Sequence, residues 1–412
     1  MLRVGLVSQW YDPEVGAVAP GTLARALSSY GHQVEVLTGL PNYPTGRLYP
    51  GYHLRPYQRE ELDGVTVHRC PLYPSHDSQA VRRATNFLSF ASAASVVGLR
   101  ALRHVDATLV YSSPATAALP ALALRLARRI PFVLLIQDMW PQSVTASGFL
   151  PEPTSRRVER GLHRFCDHVY RRAASIAVTS PGMADLVAAR GIDERKIAVV
   201  PNWVDETLFR PMERDPALAE ELGPLRPFTV MYAGNLGELQ GLDVIVEAAD
   251  LLHSHRDIGF VLIGGGVVEQ RLRRMVGERR LDNVRFVGPQ PSTRMAKVLA
   301  LGDVQLVTLR DLPLLRSTLP SKVQVTLAAG RPVIAAVSGD AAAVVDAAGA
   351  GFTVPPGSPA ELAAAILKFH SLPDRGRRDL GDSGRRYYEA NLSRRHGVAR
   401  LTALLEQASQ RS

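Results

Sequence analysis

The chain has little cysteine: Cys70 and Cys166 stand alone in 412 residues. Two distant cysteines make neither a disulfide framework nor a metal-ligand spacing, so reduced thiols in a cytoplasmic protein are expected. No Gly-x-Gly-x-x-Gly occurs, which leaves dinucleotide binding unsupported. No apolar run is long enough and free enough of charge to cross a membrane. The first apolar run, in MLRVGLVSQWYDPE, is too short for a signal peptide and reads as a first strand. Motifs of nucleic-acid readers are absent, and no carboxylate pair flanks one bond as glycoside hydrolysis needs. Lysine is scarce as well: of 48 lysines and arginines, only four are lysine.

The formal charge of +9 points to anionic partners, such as nucleotides, lipid phosphates or a membrane surface. Arginine-for-lysine usage with abundant alanine and glycine also fits a coding bias, so basicity alone decides little. The length exceeds one ordinary core and predicts two domains.

Two stretches organise the chain. In the first, FTVMYAGNLGELQGLD, a strand Phe228–Ala233 runs into Gly234-Asn235-Leu236-Gly237, and a helix opens near Gly241. A strand turning through glycines into a helix start brings backbone N–H groups to an anion. In the second, Leu319-Pro320-Ser321-Lys322 opens a helix that ends before an apolar strand, Val333–Ala336. Lys322 is a compact charge suited to a phosphate oxygen, in a first turn where a lysine gains nothing from the helix dipole.

Around these stretches, strands and helices alternate. Strands are expected at Val4–Ser8, Val34–Thr38, Val65–Arg69, Thr108–Tyr111, Pro131–Ile136, Ile176–Thr179 and Ile197–Val200, and a proline- and charge-rich linker at Arg210–Pro227. A second set follows at 228–233, 260–263, 284–287, 304–309, 333–336 and 352–354. Such alternation demands parallel sheets covered on both faces. Gly16 and Ala17 follow the first strand, where open α/β sheets bind ligands. Leu40–Arg59 is a long loop whose four tyrosines line an acceptor site or pack the loop down. The arginine-flanked helix 84–102 suits a membrane surface or a core position. Asp138, after a continuous apolar strand, suits the deprotonation of an acceptor hydroxyl or the capping of a helix. Gly264, Gly265 and Gly266 end one strand, and Gly288-Pro289-Gln290 after another offers backbone to a flat base.

At these residues the chain resembles a family. YDPEVGAVAPGTLARALSSYGHQVEVLTGLPNYPTGRLYPGY, QDMWPQS, VVPNWVD, YAGNLGELQGLD, FVGPQP and LPSKVQVTLAAGRPVIA are similar to retaining glycosyltransferases of family four, in the WbuB-like, L-fucosamine-transferase branch. The resemblance spans nearly the whole chain and implies a GT-B architecture: two Rossmann-like lobes with an interdomain cleft. It implies an N-terminal acceptor domain at 1–209, a nucleotide-sugar domain at 210–385, and a C-terminal helix in 386–412 crossing back to the first. The donor would be a UDP-sugar, N-acetylated or deoxyamino. The acceptor would be a glycan, a lipid-diphosphate-linked or a small molecule, reached from the cytoplasm or the inner membrane face.

Asp138 and Lys322 are the implied catalytic residues. Gly16, Ala17, Asn235, Gly237, Gln240, Gly264, Gly265, Gly288, Pro289, Thr318, Leu319, Ser321 and Gln324 are the implied donor contacts. Most of the wider family has arginine and lysine at Asn235 and Gln240, and a Glu-x7-Glu pair that falls on Ser317 and Val325 here. Lys322, Gln324 and the glycine amides would take over those charged contacts. Asp-x-Asp is absent, so no metal or other cofactor is expected. An epimerase of the same fold and a degenerate, non-catalytic partner subunit are the alternatives.

Overall fold

The computed structural model describes residues 1–14, 18–76, 79–141 and 154–410. They form two compact units: Met1–Val200 with Val398–Ser412, and Pro201–Gly397. The division therefore falls nine residues before the expected 209/210 boundary, and the return to the first unit falls after 397 instead of 385.

The first unit holds strands β1 (Arg3–Val7), β2 (Gln33–Gly39), β3 (Gln58–Leu62), β4 (Val65–Cys70), β5 (Ala107–Ser112), β6 (Phe132–Ile136), β7 (Ser175–Val178) and β8 (Ile197–Val199). Among the described residues they form one sheet in the order β3-β4-β2-β1-β5-β6-β7-β8. All neighbours are parallel except β3 and β4. The five residues of β6, FVLLI, are all buried, as expected of a central parallel strand covered on both faces.

Strand β3 has no counterpart in the sequence reading. Its QREEL carries four polar residues and no alternating apolar face, because it is an edge strand held by its antiparallel partner. What fastens it is Arg69 on β4, which is fully buried. The Arg69 guanidinium bonds the Glu60 carboxylate and the carbonyls of Gly39 and Asp12, and it lies 5.0 Å over the Tyr52 ring. Glu14, also buried, accepts from the amides of Tyr11, Asn42 and Tyr43 at 2.8–3.0 Å. These two side chains pin the loop after β2 to the loop after β1.

The second unit holds β9 (Phe228–Ala233), β10 (Ile258–Ile263), β11 (Val284–Val287), β12 (Val304–Thr308), β13 (Val333–Ala336) and β14 (Gly351–Val354). They form an all-parallel sheet in the order β11-β10-β9-β12-β13-β14. Alternate residues of β9 enter different cores: Val230 and Tyr232 one, Met231 the other. Both faces are thus covered, which the period of two in a strand requires.

The stretch expected as a linker contains a helix, Pro216–Leu222. Asp215 caps it by accepting from the amides of Ala217 and Leu218, Pro216 opens it, and Leu218 and Leu222 bury into the second core. The Asp-Pro pair was the legible signal.

Replacing Arg69 by leucine should lower unfolding stability by about 2–4 kcal/mol, because Glu60 and two carbonyls lose their donor. Arg59→Ala, at an exposed pair, should change it by less than about 0.5 kcal/mol. Urea denaturation of both variants checks the contrast.

Candidate functional site

The site is built where β9 and β10 end side by side, with Ala233 opposite Ile263 in register. Both strands leave the sheet through glycines. Gly264 has φ of +135°, and a Cβ there would lie 2.0 Å from the Gly234 carbonyl oxygen. Gly266 is as tight, with a Cβ position 2.4 Å from the Leu236 oxygen. The close approach is kept by a bond from the Leu236 amide to the Gly265 carbonyl, at 2.9 Å. Among the described residues, the amides of Gly237, Gly265 and Gly266 donate to no acceptor. Clustered free N–H groups at the carboxyl ends of parallel strands suit an anion. Between Gly237 and the helix Asp243–Leu251 stands one short 3-10 turn, Glu238–Gln240, so the helix opens two residues later than the sequence implied.

Lys322 reaches this corner from the first turn of the helix Ser321–Ala328. Its Nζ donates to Gln240 Oε1 at 2.6 Å and lies 5.3 Å from the centre of the Tyr232 ring. The Tyr232 hydroxyl in turn donates to the Asn235 carbonyl at 2.8 Å. Gly234 leaves room for the stem: a Cβ there would sit 2.5 Å from Lys322 Cε. A pocket of about 280 Å³ opens beside the ammonium, lined by Gly234, Asn235, Ser321 and Lys322 with Phe209 and Met295. Among the described residues no carboxylate lies within 4 Å of the ammonium, and burial lowers its pKa to about 8. A desolvated cation with only neutral partners gains from an arriving anion.

The other expected donor contacts divide. Ser321 lines the pocket, and the Asn235 amide group lies over Gly237. Gly288 and Pro289 are exposed, with the Pro289 ring against Gly265. Thr318 spends its hydroxyl on the Leu315 carbonyl, and Leu319 packs on a core cluster. Gln324 faces another way. It is 3% exposed, donates to the Asn202 carbonyl at 2.6 Å, and stands outside the pocket lining. Gln240 meets Lys322 itself, its Oε1 accepting from the ammonium. Gly16 and Ala17 lie outside the described residues.

Sequence reading missed the rim. Arg310, after β12, bonds the Glu238 carbonyl and carboxylate at 2.7 and 3.0 Å, and Arg271 bonds Glu238 and Asp243. These ion pairs brace the 3-10 turn that carries Gln240.

In the first unit, Asp138 follows β6 and is exposed, its carboxylate accepting from the Ser113 hydroxyl at 2.9 Å. Close in sequence is Trp140, one end of an aromatic chain. Its ring centre is 6.0 Å from Phe87, which lies 6.3 Å from Trp10; Trp10 is 5.5 Å from Tyr43, and Tyr43 is 4.5 Å from His76. No spacing in the sequence announced this cluster. The loop tyrosines pack: Tyr49 bonds the Tyr43 carbonyl, Tyr52 lies under Arg69, and Tyr57 bonds His68. The helix Ala80–Ala101 has a buried and an exposed face. Phe90, Ala91 and Ala94 are core, while Val81, Leu88 and Val96 are exposed along its outer face. Among the described residues no helix is long and apolar enough to cross a membrane, and no three His, Cys, Asp or Glu side chains converge as metal ligands.

Known proteins place this geometry. The model of a glycosyl transferase 4-like domain matches residues 16–203, and that of glycosyl transferases group 1 matches 227–371. The chain belongs to the glycosyltransferases. Its two Rossmann-like lobes are those of the GT-B fold, and its family is four. A relative named for colanic acid biosynthesis, the glycosyl transferase WcaI of Escherichia coli (strain K12), is 28% identical over 328 residues, 78% of this chain and 79% of its own. Sucrose-phosphate synthase from Thermosynechococcus elongatus superposes over the full length of both chains, with a TM-score of 0.75 at 19% identity. HepE of Anabaena, solved in complex with UDP and glucose, superposes over 98% of this chain and all of its own, with a TM-score of 0.68 at 14% identity.

With only four lysines, the ammonium groups of this glycosyltransferase are open to NMR titration. Lys322 should titrate near pH 8 in the free protein. Gln240→Glu should move that midpoint upward, because a carboxylate favours the charged form. The folded value lies below the unfolded one, so the unfolded chain binds more protons between about pH 8 and 10.5, and stability should rise with pH across that window. A Lys322 midpoint above 10 would contradict the burial argument.

Proposed function

We propose that this glycosyltransferase moves a sugar from a UDP-sugar to an acceptor, with retention of the anomeric configuration, in the manner of the WbuB-like branch. The observation that carries the proposal is Lys322: a partly buried ammonium, held by Gln240, beside a pocket and a set of glycine amides without acceptors. As the sugar leaves, negative charge gathers on the diphosphate. Lys322 and the amides of Gly237 and Gly265 meet that charge. In this proposal the ammonium and the amides supply the neutralisation. The Gly288-Pro289 turn flanks the glycine loop and receives the base. That HepE was solved with UDP supports a uridine donor. The sugar proposed is N-acetylated or deoxyamino.

The acceptor hydroxyl is assigned to Asp138, whose exposed carboxylate already accepts from Ser113. The aromatic chain from Trp140 to His76 offers ring faces to a sugar or an isoprenoid stem. A lipid-diphosphate-linked acceptor at the inner membrane face suits the outer stripe of the helix Ala80–Ala101, where Val81, Leu88 and Val96 stand exposed near Arg82 and Arg100. That contact requires binding to anionic liposomes that weakens with salt.

A screen of UDP- and GDP-sugars for thermal stabilisation, followed by slow hydrolysis of the hits, tests the reading. Lys322→Met should slow turnover roughly ten- to a hundredfold, the loss of one charge-assisted bond of about 1.5–3 kcal/mol. Asp138→Asn should abolish transfer while sparing donor hydrolysis. Unchanged turnover in Lys322→Met would remove the leaving-group role.

A further inference from the structure

We propose that the second unit carries another anion site, at the opposite end of its sheet from the donor loops, which takes a small phosphate or diphosphate. A pocket of about 240 Å³ opens there between Arg214, the Asp303 turn before β12, the Gly330-Arg331-Pro332 turn before β13, and the first turn of the helix Asp374–Asn391. Those turns lie at the amino ends of the parallel strands, whereas the glycine loops lie at the carboxyl ends. The site therefore stands on its own, whatever the donor loops bind.

Charge is what marks the pocket. Arg214, Arg331, Arg377 and Arg378 line it, against two carboxylates, Asp303 and Asp374. Asp374 is taken by Arg377, which also covers the Phe228 ring at 5.2 Å. Asp303 lies 3.9 Å from Arg214 and already accepts the Thr229 amide at 2.7 Å. Among the described residues, Arg331 and Arg378 have no carboxylate within 4 Å. Arg331 gives one guanidinium nitrogen to the Met212 carbonyl, and burial pushes its pKa down, a shift that Asp303 opposes and Arg214 adds to. Guanidinium groups drawn together around too few carboxylates repel one another, and an anion relieves both the repulsion and the desolvation.

The chemistry selects the ligand. Guanidinium forks match phosphate oxygens in pairs, and several forks converging from separate elements suit a group with three or more oxygens. The N-terminus of the eighteen-residue helix adds its dipole, with Pro373 supplying no side-chain cap of its own. At about 240 Å³ the pocket has room for a phosphate or diphosphate. Gly302 and Gly330 also line the pocket.

Calorimetric titration with inorganic diphosphate at low salt tests the assignment. The donor site also binds diphosphate under the proposed function, so wild type and Lys322→Met are titrated in parallel, each with and without Arg214→Gln plus Arg378→Ser. Both arginines are exposed, so folding should survive, and circular dichroism checks it. Binding should persist in Lys322→Met and weaken at least tenfold when the two arginines are also replaced. UDP binding to the arginine variant should stay unchanged. If Lys322→Met abolishes all diphosphate binding, or if the arginine changes leave the diphosphate binding of Lys322→Met untouched, the second site is refuted; neither result counts against the donor reading.

Discussion

The rest of the structure turns on one ammonium and the company it keeps. Lys322 is drawn out of water and given an amide oxygen and an aromatic face, but no carboxylate within 4 Å among the described residues. An isolated cation in that setting costs folding free energy, as the downward push on its pKa records. A carboxylate would cancel the cost and with it the attraction for an arriving diphosphate. Gln240 avoids this by accepting a hydrogen bond without neutralising the charge. The braced turn at Glu238, held by Arg271 and Arg310, keeps that amide in place.

Much of the fold was legible. Among the described residues, thirteen of the fourteen strands correspond to apolar runs in the sequence, most plainly the central parallel strands buried on both faces. The exception, β3, is a charged edge strand whose position is decided by Arg69 across the pair, and no local pattern reports a tertiary partner. The helix Pro216–Leu222 was lost for a different cause: proline and charge were read as a linker, although Asp215-Pro216 is a helix start.

The site was legible where backbone geometry rules and illegible where side chains choose partners. Glycines that must approach one another, as Gly264 and Gly234 do, announce themselves by type. Lys322 stood out by rarity and by its place beside the Pro-Ser turn. The destination of Gln324 could not be read, since its bond to Asn202 depends on how the segment after Pro201 packs. Nor could the aromatic chain from His76 to Trp140, whose members come from five separate stretches of sequence. Asn235, Lys322 and Val325 line one pocket, and Gln240 accepts from the Lys322 ammonium at its edge.

The central claim is an address for a diphosphate, and a crystal structure of the protein soaked in UDP tests it most directly. The account predicts phosphate oxygens within hydrogen-bond distance of Lys322 Nζ and of the Gly237 amide, with the uracil toward Gly288 and Pro289. UDP bound elsewhere, with Lys322 still turned to Gln240 and nothing else, would contradict it.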